Sequence, residues 1–270
     1  MTQKIHPTAI VSPKAQLGDN VEIGPYSIIG DEVKIGANTI VKSHVVIEGD
    51  VEIGKNNTFF PFASIGLEPQ DLKFQGEKSK VVIGDNNKIR EHVTIHRGTK
   101  DGAMLTKVGN NCLLMVGVHI AHDCIVGDHV ILANNATLAG HVEIEDHVIV
   151  GGLSAIRQFV RIGKHAMIGG MSGVENDVIP YGTVMGERAS LAGLNLVGMK
   201  RRGISRDDIH ALRNFFKKLF SESKDSFASR VEQFAQEFPN QTVQDVAGFV
   251  KAQDSRAFCQ PKNNVFADGD

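Results

Sequence analysis

The chain is organised by a hydrophobic residue at every sixth position. This lead position is Ile, Val, Leu or Phe from Ile5 to Ile65, from Ile83 to Ile95 and from Val108 to Val174. The residue after the lead is often Gly, and the residue four after it is mostly Ala, Val, Ser, Thr or Cys. An α-helix repeats every 3.6 residues and a simple strand every two, so neither element alone produces this period.

One large and one small inward side chain in every six residues predicts short strands joined by sharp corners. Three such strands make a triangular coil of 18 residues, and stacked coils make a parallel β-helix. Stacked strands are about 4.8 Å apart, so residues 18 apart in sequence lie above one another. The pattern predicts an all-β solenoid over residues 1–190. Adding 18 to a residue number gives the residue directly above it on the predicted surface.

The repeat is interrupted twice. Within residues 66–81 the expected lead positions are Asp71 and Glu77, which cannot line an apolar interior. Within residues 97–107 the step between leads is 13 instead of 6. Both segments are predicted to leave the wall as loops, and loops on a rigid scaffold often carry binding sites.

The repeat ends near Pro180, and a helical pattern follows. Residues 181–203 lack the hexad and predict a connector. Ser205 with Asp208 three residues later predicts a helix N-terminus. Apolar residues then follow at helical spacing, namely Ile209, Leu212, Phe215, Phe216, Leu219 and Phe220.

Two further short helices are predicted at 227–238 and 242–252. We therefore expect an α-helical C-terminal domain over residues 191–270. Its polar tail, from about Asp254, is predicted to be frayed.

Composition narrows the class of protein. A net charge of −2 over 270 residues does not indicate a general nucleic-acid binder. The first ten residues lack an apolar leader, and no apolar run approaches the roughly 18 residues of a membrane span. The three cysteines, Cys112, Cys124 and Cys259, do not form a disulfide framework. We expect a cytoplasmic protein.

The candidate chemistry lies in the block IAHDCI. Adding 18 to its residues gathers polar groups on one face of the predicted prism: His119, His122, Asp123, Gly140, His141 and Gln158. An imidazole oriented by a carboxylate is a general base near neutral pH, and a glycine N–H can stabilise an oxyanion. Since no Ser or Cys nucleophile lies beside His122, the pattern favours direct attack by a substrate hydroxyl. The alternative, that these polar corners only face water, remains open.

A second histidine series, His129, His147 and His165, also repeats every 18 residues. Histidines on strands stacked about 4.8 Å apart do not, by that spacing alone, direct three nitrogens towards one metal ion. The series therefore indicates solvated corners more than a metal site.

Basic residues cluster near the start of the helical region. They are Lys200, Arg201, Arg202, Arg206, Arg213, Lys217 and Lys218. Such a patch suits an acidic partner or phosphates, or it is a solvated helix face. Binding of DNA or RNA is not indicated, because interleaved aromatic residues are missing.

The motifs GLEPQDLKF, TIHRGT, IAHDC, LANNATLAGHV and KRRG occur in this order along the hexad. With them, the chain closely resembles the UDP-N-acetylglucosamine O-acyltransferases that begin lipid A synthesis, over about residues 5–250. The resemblance implies a left-handed parallel β-helix followed by a small α-helical domain. It also implies a homotrimer, with active sites in the clefts between subunits and without a metal or other cofactor. The implied reaction moves an (R)-3-hydroxyacyl chain from acyl carrier protein to the 3-hydroxyl of UDP-N-acetylglucosamine.

The resemblance also implies roles for individual residues. His122 would be the general base, Asp123 would orient it, and Gly140 would supply the oxyanion N–H. The implied substrate-binding residues are Gln70, Asp71, Lys73, His119, His141 and Gln158 for the nucleotide sugar. Asn195, Arg201 and Arg202 would contact the uridine-phosphate end or the pantetheine of the carrier. Gly170 matches the position that limits acyl length, where a glycine leaves room for a longer chain.

Three positions depart from the family pattern. Arg157 and Arg188 stand where His is expected, and Val197 stands in place of Glu. These changes touch the acceptor side, so a 3-amino sugar nucleotide, giving an amide, is an alternative acceptor.

Two other classes also remain. A β-helical zinc carbonic anhydrase would need His119, His122 and His141 to converge on one ion with an open position for water. A non-catalytic scaffold would give no account of the clustered polar face.

Overall fold

In the computed structural model, which describes residues 3–221, 223–252 and 257–262, successive strands visit three sheets in turn. The first face contains Lys4–Ile5, Glu22–Ile23, Ile40–Val41, Thr58–Phe59, Lys88–Ile89, Leu113–Leu114, Ile131–Leu132, Ile149–Val150, Met167–Ile168, Gly182–Met185 and Ser190–Leu194. The second face contains Ile10–Val11, Ile28–Ile29, Val46–Ile47, Ser64–Leu67, Thr94–His96, His119–Ile120, Thr137–Leu138, Ala155–Ile156 and Gly173–Val174. The third face contains Gln16–Leu17, Val33–Ile35, Asp50–Ile53, Lys80–Ile83, Leu105–Val108, Ile125–Val126, Glu143–Ile144 and Arg161–Ile162.

The register confirms the parallel β-helix. Lys4 pairs with Glu22 in a parallel ladder, a separation of 18 residues. The first excursion lengthens the step between neighbouring coils to 30 residues, and the second lengthens it to 25. The wall closes again after each excursion, so the loops are additions to an otherwise regular prism.

The interior is built from the two inward positions of the hexad. Large leads such as Phe59 and Leu114 are fully buried. Where the small inward residue is polar, it bonds to the backbone of another coil: Ser27 Oγ donates to the carbonyl of Lys42 at 2.7 Å. Asn57 Nδ2 likewise donates to the carbonyl of Gly84 at 2.8 Å. These two inward polar side chains are thus satisfied, as a dry interior requires.

Many corners contain a non-glycine residue in the left-handed backbone region, for example Asn20 (φ 57°) and His129 (φ 57°). Asn, Asp and His are the side chains that tolerate this region best. Asn20 Nδ2 donates to Asn38 Oδ1 at 3.1 Å, so stacked corners also bond to one another. A histidine at a corner therefore has a backbone reason that does not depend on chemistry.

The prediction of a connector at residues 181–203 was wrong. Gly182–Met185 pairs in parallel with Met167–Ile168 and antiparallel with Ser190–Leu194, so a hairpin extends the first face. Helix α1, Leu196–Arg201, follows it. Backbone pairing at a sheet edge does not need the hexad, which is why the sequence pattern does not reveal this hairpin.

The remaining helices are α2 (Arg206–Leu219), α3 (Phe227–Ala235) and α4 (Gln241–Lys251). As predicted, Ser205 caps α2, its Oγ accepting from the Asp208 N–H at 3.0 Å. Buried side chains such as Phe215 form the core between these helices. Among the described residues, no helix combines the length and the apolar content that crossing a bilayer requires.

The C-terminal tail is not frayed where the structure describes it. At residues 257–262, Phe258 pairs with Asp177 as an isolated bridge, and the Cys259 N–H donates to the Asp177 carbonyl at 2.8 Å. Phe258 and Cys259 are buried, so apolar contact offsets the polar composition of the tail. The predicted fraying at 253–256 and 263–270 lies outside the described residues.

Candidate active site

His122 and Asp123 form a hydrogen-bonded pair at the corner between the second and third faces. His122 Nδ1 lies 3.0 Å from Asp123 Oδ2. The Asp123 side chain is 1% exposed and that of His122 is 15% exposed. With Nδ1–H donated to the carboxylate, the Nε2 lone pair of His122 is free to accept a proton.

The second excursion holds the Asp123 carboxylate. The Thr99 N–H donates to Asp123 Oδ2 at 3.0 Å, and Thr99 Oγ1 donates to the same oxygen at 2.6 Å. A side chain at Gly102 would place its Cβ 2.2–2.5 Å from the carboxylate, so a glycine is required there. Burial raises the pKa of Asp123, but hydrogen bonds from His122 and Thr99 outweigh it and hold the pKa below its ordinary value.

Gly140 lies against the open edge of the His122 imidazole. A Cβ at this position would come within 2.5 Å of Cε1 and 2.6 Å of Nε2. The described residues provide no acceptor for the Gly140 N–H, whereas its carbonyl accepts from Phe159 at 3.0 Å. The absent side chain lets the imidazole of His122 pack directly against the Gly140 backbone.

His141 stands one coil beyond Asp123, as the 18-residue spacing predicts. Its ring meets that of His122 edge to face, with centroids 5.0 Å apart, and stacks on Phe159 at 4.3 Å. Burial lowers the pKa of His141, opposed in part by the charge of Asp123. Gln158 lies next to Phe159 and lines a polar pocket together with Arg157.

His119 is placed on the second face, next to this corner. Its Nδ1 hydrogen-bonds with Thr94 Oγ1 at 2.7 Å, and its ring meets that of His96 edge to face at 5.0 Å. His96 is buried, and burial together with the charges of His119 and His122 lowers its pKa to about 4.

The first excursion contacts the second through an ion pair. The Lys73 N–H donates to Asp71 Oδ1 at 3.0 Å, while Lys73 Nζ pairs with Asp101 at 3.5 Å. The charge of Asp71 also acts to raise the pKa of His141, which places this carboxylate on the same side as the imidazoles. Gln70 is exposed beside them.

The other predicted site residues lie elsewhere on the prism. Asn195 caps α1, its Oδ1 accepting from the Gly198 N–H at 3.0 Å and its Nδ2 donating to the His165 carbonyl at 2.9 Å. Arg202 is half-buried beside His165, and burial lowers its pKa. Both belong to the corner between the third and first faces, and within one chain they do not meet His122.

Gly170 occupies the third corner, between the first and second faces. A Cβ there would come no closer than 3.3 Å to a neighbouring atom, the carbonyl oxygen of Gly152. A side chain at this position would therefore press on the neighbouring coil, whereas the glycine does not. Arg188 and Val197 are exposed, as is Arg201.

Four residues that hold this site were missed: His96, Thr99, Gly102 and Thr106. Thr106 Oγ1 accepts from the Asp123 N–H at 2.9 Å. Three of the four lie in the second excursion and His96 directly precedes it, and there adding 18 no longer maps the surface. The available signal was the polar segment HRGT, residues 96–99, at the start of that interruption.

The second histidine series forms a stack. The rings of His129 and His147 are 4.7 Å apart and those of His147 and His165 are 4.8 Å apart, with interplanar angles of 10°. Tyr181 continues the stack at 5.2 Å. Parallel rings keep their nitrogens in separate planes, so they do not converge on one ion.

In the part of the chain that is described, one compact group could hold a metal ion: His122, Asp123 and His141. It offers two imidazoles and a carboxylate. The carbonic anhydrase alternative calls for His119 as a third imidazole, but its Nδ1 is bonded to Thr94.

Comparison with known proteins finds matches over nearly the whole chain. A family model described as UDP-N-acetylglucosamine O-acyltransferase, domain 2, matches residues 177–259, and a hexapeptide-repeat model matches 14–49 and 105–140. The solved structure of LpxA from Acinetobacter baumannii is 46% identical, with a TM-score of 0.90, and the match covers 94% of this chain and 99% of that one.

More distant relatives match over the same length. The UDP-N-acetylglucosamine O-acyltransferase (LpxA) of Moraxella catarrhalis is 41% identical with a TM-score of 0.88, over 95% of this chain and 99% of that one. The UDP-N-acetylglucosamine acyltransferase of Arabidopsis is 35% identical with a TM-score of 0.83, over 95% and 100%. Identity at this level, over nearly the whole of each chain, shows that this chain belongs to the UDP-N-acetylglucosamine O-acyltransferase family.

Proposed function

We propose that the protein transfers an (R)-3-hydroxyacyl chain from acyl carrier protein to the 3-hydroxyl of UDP-N-acetylglucosamine, the first step of lipid A synthesis. The observation that carries the mechanism is the anchored pair of His122 and Asp123 beside Gly140. Asp123 orients the imidazole through a 3.0 Å hydrogen bond, and the missing side chain of Gly140 lets the ring lie directly against that backbone. Membership of the family supports the substrates.

In this mechanism His122 Nε2 removes the proton of the sugar hydroxyl as its oxygen attacks the thioester carbonyl. The carbonyl oxygen becomes an oxyanion, which the Gly140 N–H stabilises. Collapse of the intermediate breaks the carbon–sulfur bond, and the imidazolium returns its proton to the leaving thiolate. Asp123, ionised because its pKa is low, stabilises the imidazolium.

No cysteine is needed as a nucleophile. Cys124 is buried and faces the interior, where its Sγ donates to the Ala139 carbonyl. Burial raises the pKa of Cys124 to about 12, so the thiolate required for attack does not form near neutral pH.

The acceptor would lie among the imidazoles and the first excursion. His119 and His141 have lowered pKa values, mainly because of burial, and so offer neutral rings to the sugar. Asp71 and Lys73, with Gln70 beside them, would bind the glucosamine, and Gln158 would contact the nucleotide sugar from the next coil.

A homotrimer would complete the site. Asn195, Arg201 and Arg202 belong to a different corner from His122, so a neighbouring copy is the natural source of cations for the uridine phosphates or pantetheine. The exposed basic residues Lys200 and Lys217 would receive the acidic carrier protein. Light scattering of the purified protein tests the trimer, since a monomer would contradict it.

We also propose a cytoplasmic location, where the carrier-bound donor and the nucleotide sugar both occur. Cell fractionation tests this, and recovery of the protein outside the cytoplasmic fraction would contradict it.

The function is tested by incubating the protein with (R)-3-hydroxyacyl carrier proteins of several lengths and reading the products by mass spectrometry. Half of the reactions contain UDP-N-acetylglucosamine and half its 3-amino analogue. An ester on the first supports the proposal, and its chain length tests whether Gly170 admits a longer chain. Product with the amine alone would assign N-acylation. This is the second candidate function, because the exposed Arg157 stands where the family pattern has His. Absence of product throughout would contradict both.

A further inference from the structure

The carboxylate of Glu77 joins the two excursions. It accepts a hydrogen bond from the Gln75 N–H at 2.8 Å, within the first excursion, and another from the Lys100 N–H at 3.0 Å, in the second. The bond from Lys100 first, and then that from Gln75, hold the pKa of Glu77 below its ordinary value, so the carboxylate is charged at neutral pH. We propose that Glu77 is a positioning residue for acyl transfer, which holds the acceptor-binding loop in place against the catalytic pair His122 and Asp123.

On the catalytic side, two successive backbone N–H groups of the second excursion bind different carboxylates. The Thr99 N–H donates to Asp123 Oδ2 at 3.0 Å. The next N–H along the chain, that of Lys100, donates to Glu77 Oε1 at 3.0 Å. Because the peptide unit between Thr99 and Lys100 is rigid, a shift of the second residue moves the first. The carboxylate that orients His122 is therefore coupled to Glu77.

On the acceptor side, Glu77 fixes the end of a turn. The Lys73 N–H donates to Asp71 Oδ1 at 3.0 Å, and the Phe74 N–H donates to the Asp71 carbonyl at 3.0 Å. This turn presents the two residues proposed to bind the glucosamine, Asp71 and Lys73. Gln75 follows directly, and its N–H is the one that Glu77 accepts.

The side-chain contacts between the excursions are weaker. Lys100 Nζ donates to Gln75 Oε1 at 2.9 Å, and Lys73 Nζ pairs with Asp101 at 3.5 Å. Both lysines are exposed, and exposed ion pairs contribute little because water screens them and the long side chains lose rotamer freedom. Glu77 instead holds two backbone N–H groups, which cannot rotate away from it.

The first excursion remains attached to the wall when Glu77 is removed. Arg97 lies over the Phe74 ring, 5.0 Å from its centroid, and pairs with Glu68 at 3.6 Å. A change at Glu77 should therefore shift the loop relative to the second excursion without unfolding the prism.

The inference rests on the proposed function, so it is tested both with substrates and without them. With substrates, steady-state rates are measured while UDP-N-acetylglucosamine and the (R)-3-hydroxyacyl carrier protein are varied separately. Glu77→Ala should raise the KM for the nucleotide sugar about fivefold and leave that for the carrier protein within about twofold. Glu77→Gln keeps one acceptor oxygen and should give a smaller rise. A fall in kcat with both KM values unchanged would overturn the proposal, since a purely structural role would act in that way.

Glu32→Ala is the matched control. Its carboxylate also contacts the first excursion, through an exposed ion pair with Lys78 at 3.2 Å, but this pair joins the loop to the wall and not to the second excursion. Both KM values should stay within about twofold of the wild type. A rise in the KM for the nucleotide sugar equal to that in Glu77→Ala would overturn the proposal.

Without substrates, amide hydrogen exchange measures the contact itself, and melting temperatures establish that each variant is folded. In Glu77→Ala the amides of both excursions should exchange at least about fivefold faster than in the wild type, with those of the wall strands unchanged. Faster exchange in the first excursion alone would overturn the proposal, because the two loops would then be independent. A wild-type protein without transfer activity would count against the proposed function alone, since exchange is measured without substrate.

Discussion

Two histidine columns run along this prism with the same 18-residue spacing, and they differ in what surrounds them. In the column of His129, His147 and His165, each ring stacks on an identical neighbour 4.7–4.8 Å away. At the other corner, His122 meets His141 edge to face, hydrogen-bonds to a buried carboxylate and lies against a glycine. In the regular repeat the histidine rings stack on one another. Where the second excursion interrupts the repeat, Thr99 holds Asp123, and Asp123 orients His122 so that its Nε2 can accept a proton. The difference indicates that function lies where the period fails.

The largest difference in kcat is expected between two alanine variants, one from each histidine column. His122→Ala removes the general base and should lower kcat by about 10²–10⁴-fold with little change in melting temperature. His129→Ala should leave kcat within about twofold, because its ring contacts only the stack. Steady-state rates and thermal melts of both variants check this. A fully active His122→Ala protein would remove the distinction between the columns.

The second prediction concerns Gly102, because a methyl group there should displace Asp123 and, through it, His122. Gly102→Ala would press on the carboxylate, whose atoms lie 2.2–2.5 Å from the added Cβ. Displacing His122 by about 1 Å should lower kcat roughly 10²-fold. Gly248→Ala is the control, since nothing lies within 4 Å of its Cβ in α4. It should leave kcat unchanged and raise stability by about 1 kcal/mol in a denaturant titration. Equal kcat in the two variants would show that Asp123 need not be held in place.

Arg202 lies beside His165 of the stacked column, and in the proposed function it contacts a substrate. Arg202→Ala should raise the KM of one substrate about tenfold and leave kcat nearly unchanged, because a charged contact made equally in the ground and transition states is lost. Varying the carrier-bound donor and the nucleotide sugar separately shows which substrate it contacts. A fall in kcat with no change in either KM would instead place Arg202 in the chemical step.

The smallest effect should be the pH dependence of stability in the stacked column. Burial lowers the pKa of His165 to about 4, so between about pH 6.5 and 4 the unfolded chain binds a proton that the folded chain does not. Stability should therefore fall as the pH drops through this window. Because His165 is partly exposed, its contribution should be of order 1 kcal/mol. His165→Phe preserves stacking and should reduce the slope, measured by urea unfolding at several pH values. An unchanged slope would mean that His165 does not supply it.

The sequence predicts the wall and its register well, because each coil repeats the same two inward positions and the same length. Adding 18 therefore places His141 beside Asp123 and Gly140 beside His122. The rule fails within and across each excursion, since the contacts of Thr99 and Gly102 with Asp123 depend on how a non-repeating loop folds back. It also fails at Asn195, whose amide caps α1, a role that depends on local backbone geometry.

The lengths of the excursions have a consequence for how such a chain can change over evolution. Deleting a single residue from the wall would shift the hexad register, as a frameshift changes the reading of all later codons. Inward side chains after the deletion would point outward until a second change restored the register. A deletion or insertion within residues 68–79 leaves the frame intact, because the wall closes across the base of the loop at Leu67 and Lys80. Doubling a flexible loop costs only about 0.6 kcal/mol in closure entropy. The loop can thus become longer or shorter while the inward positions of the scaffold stay in register.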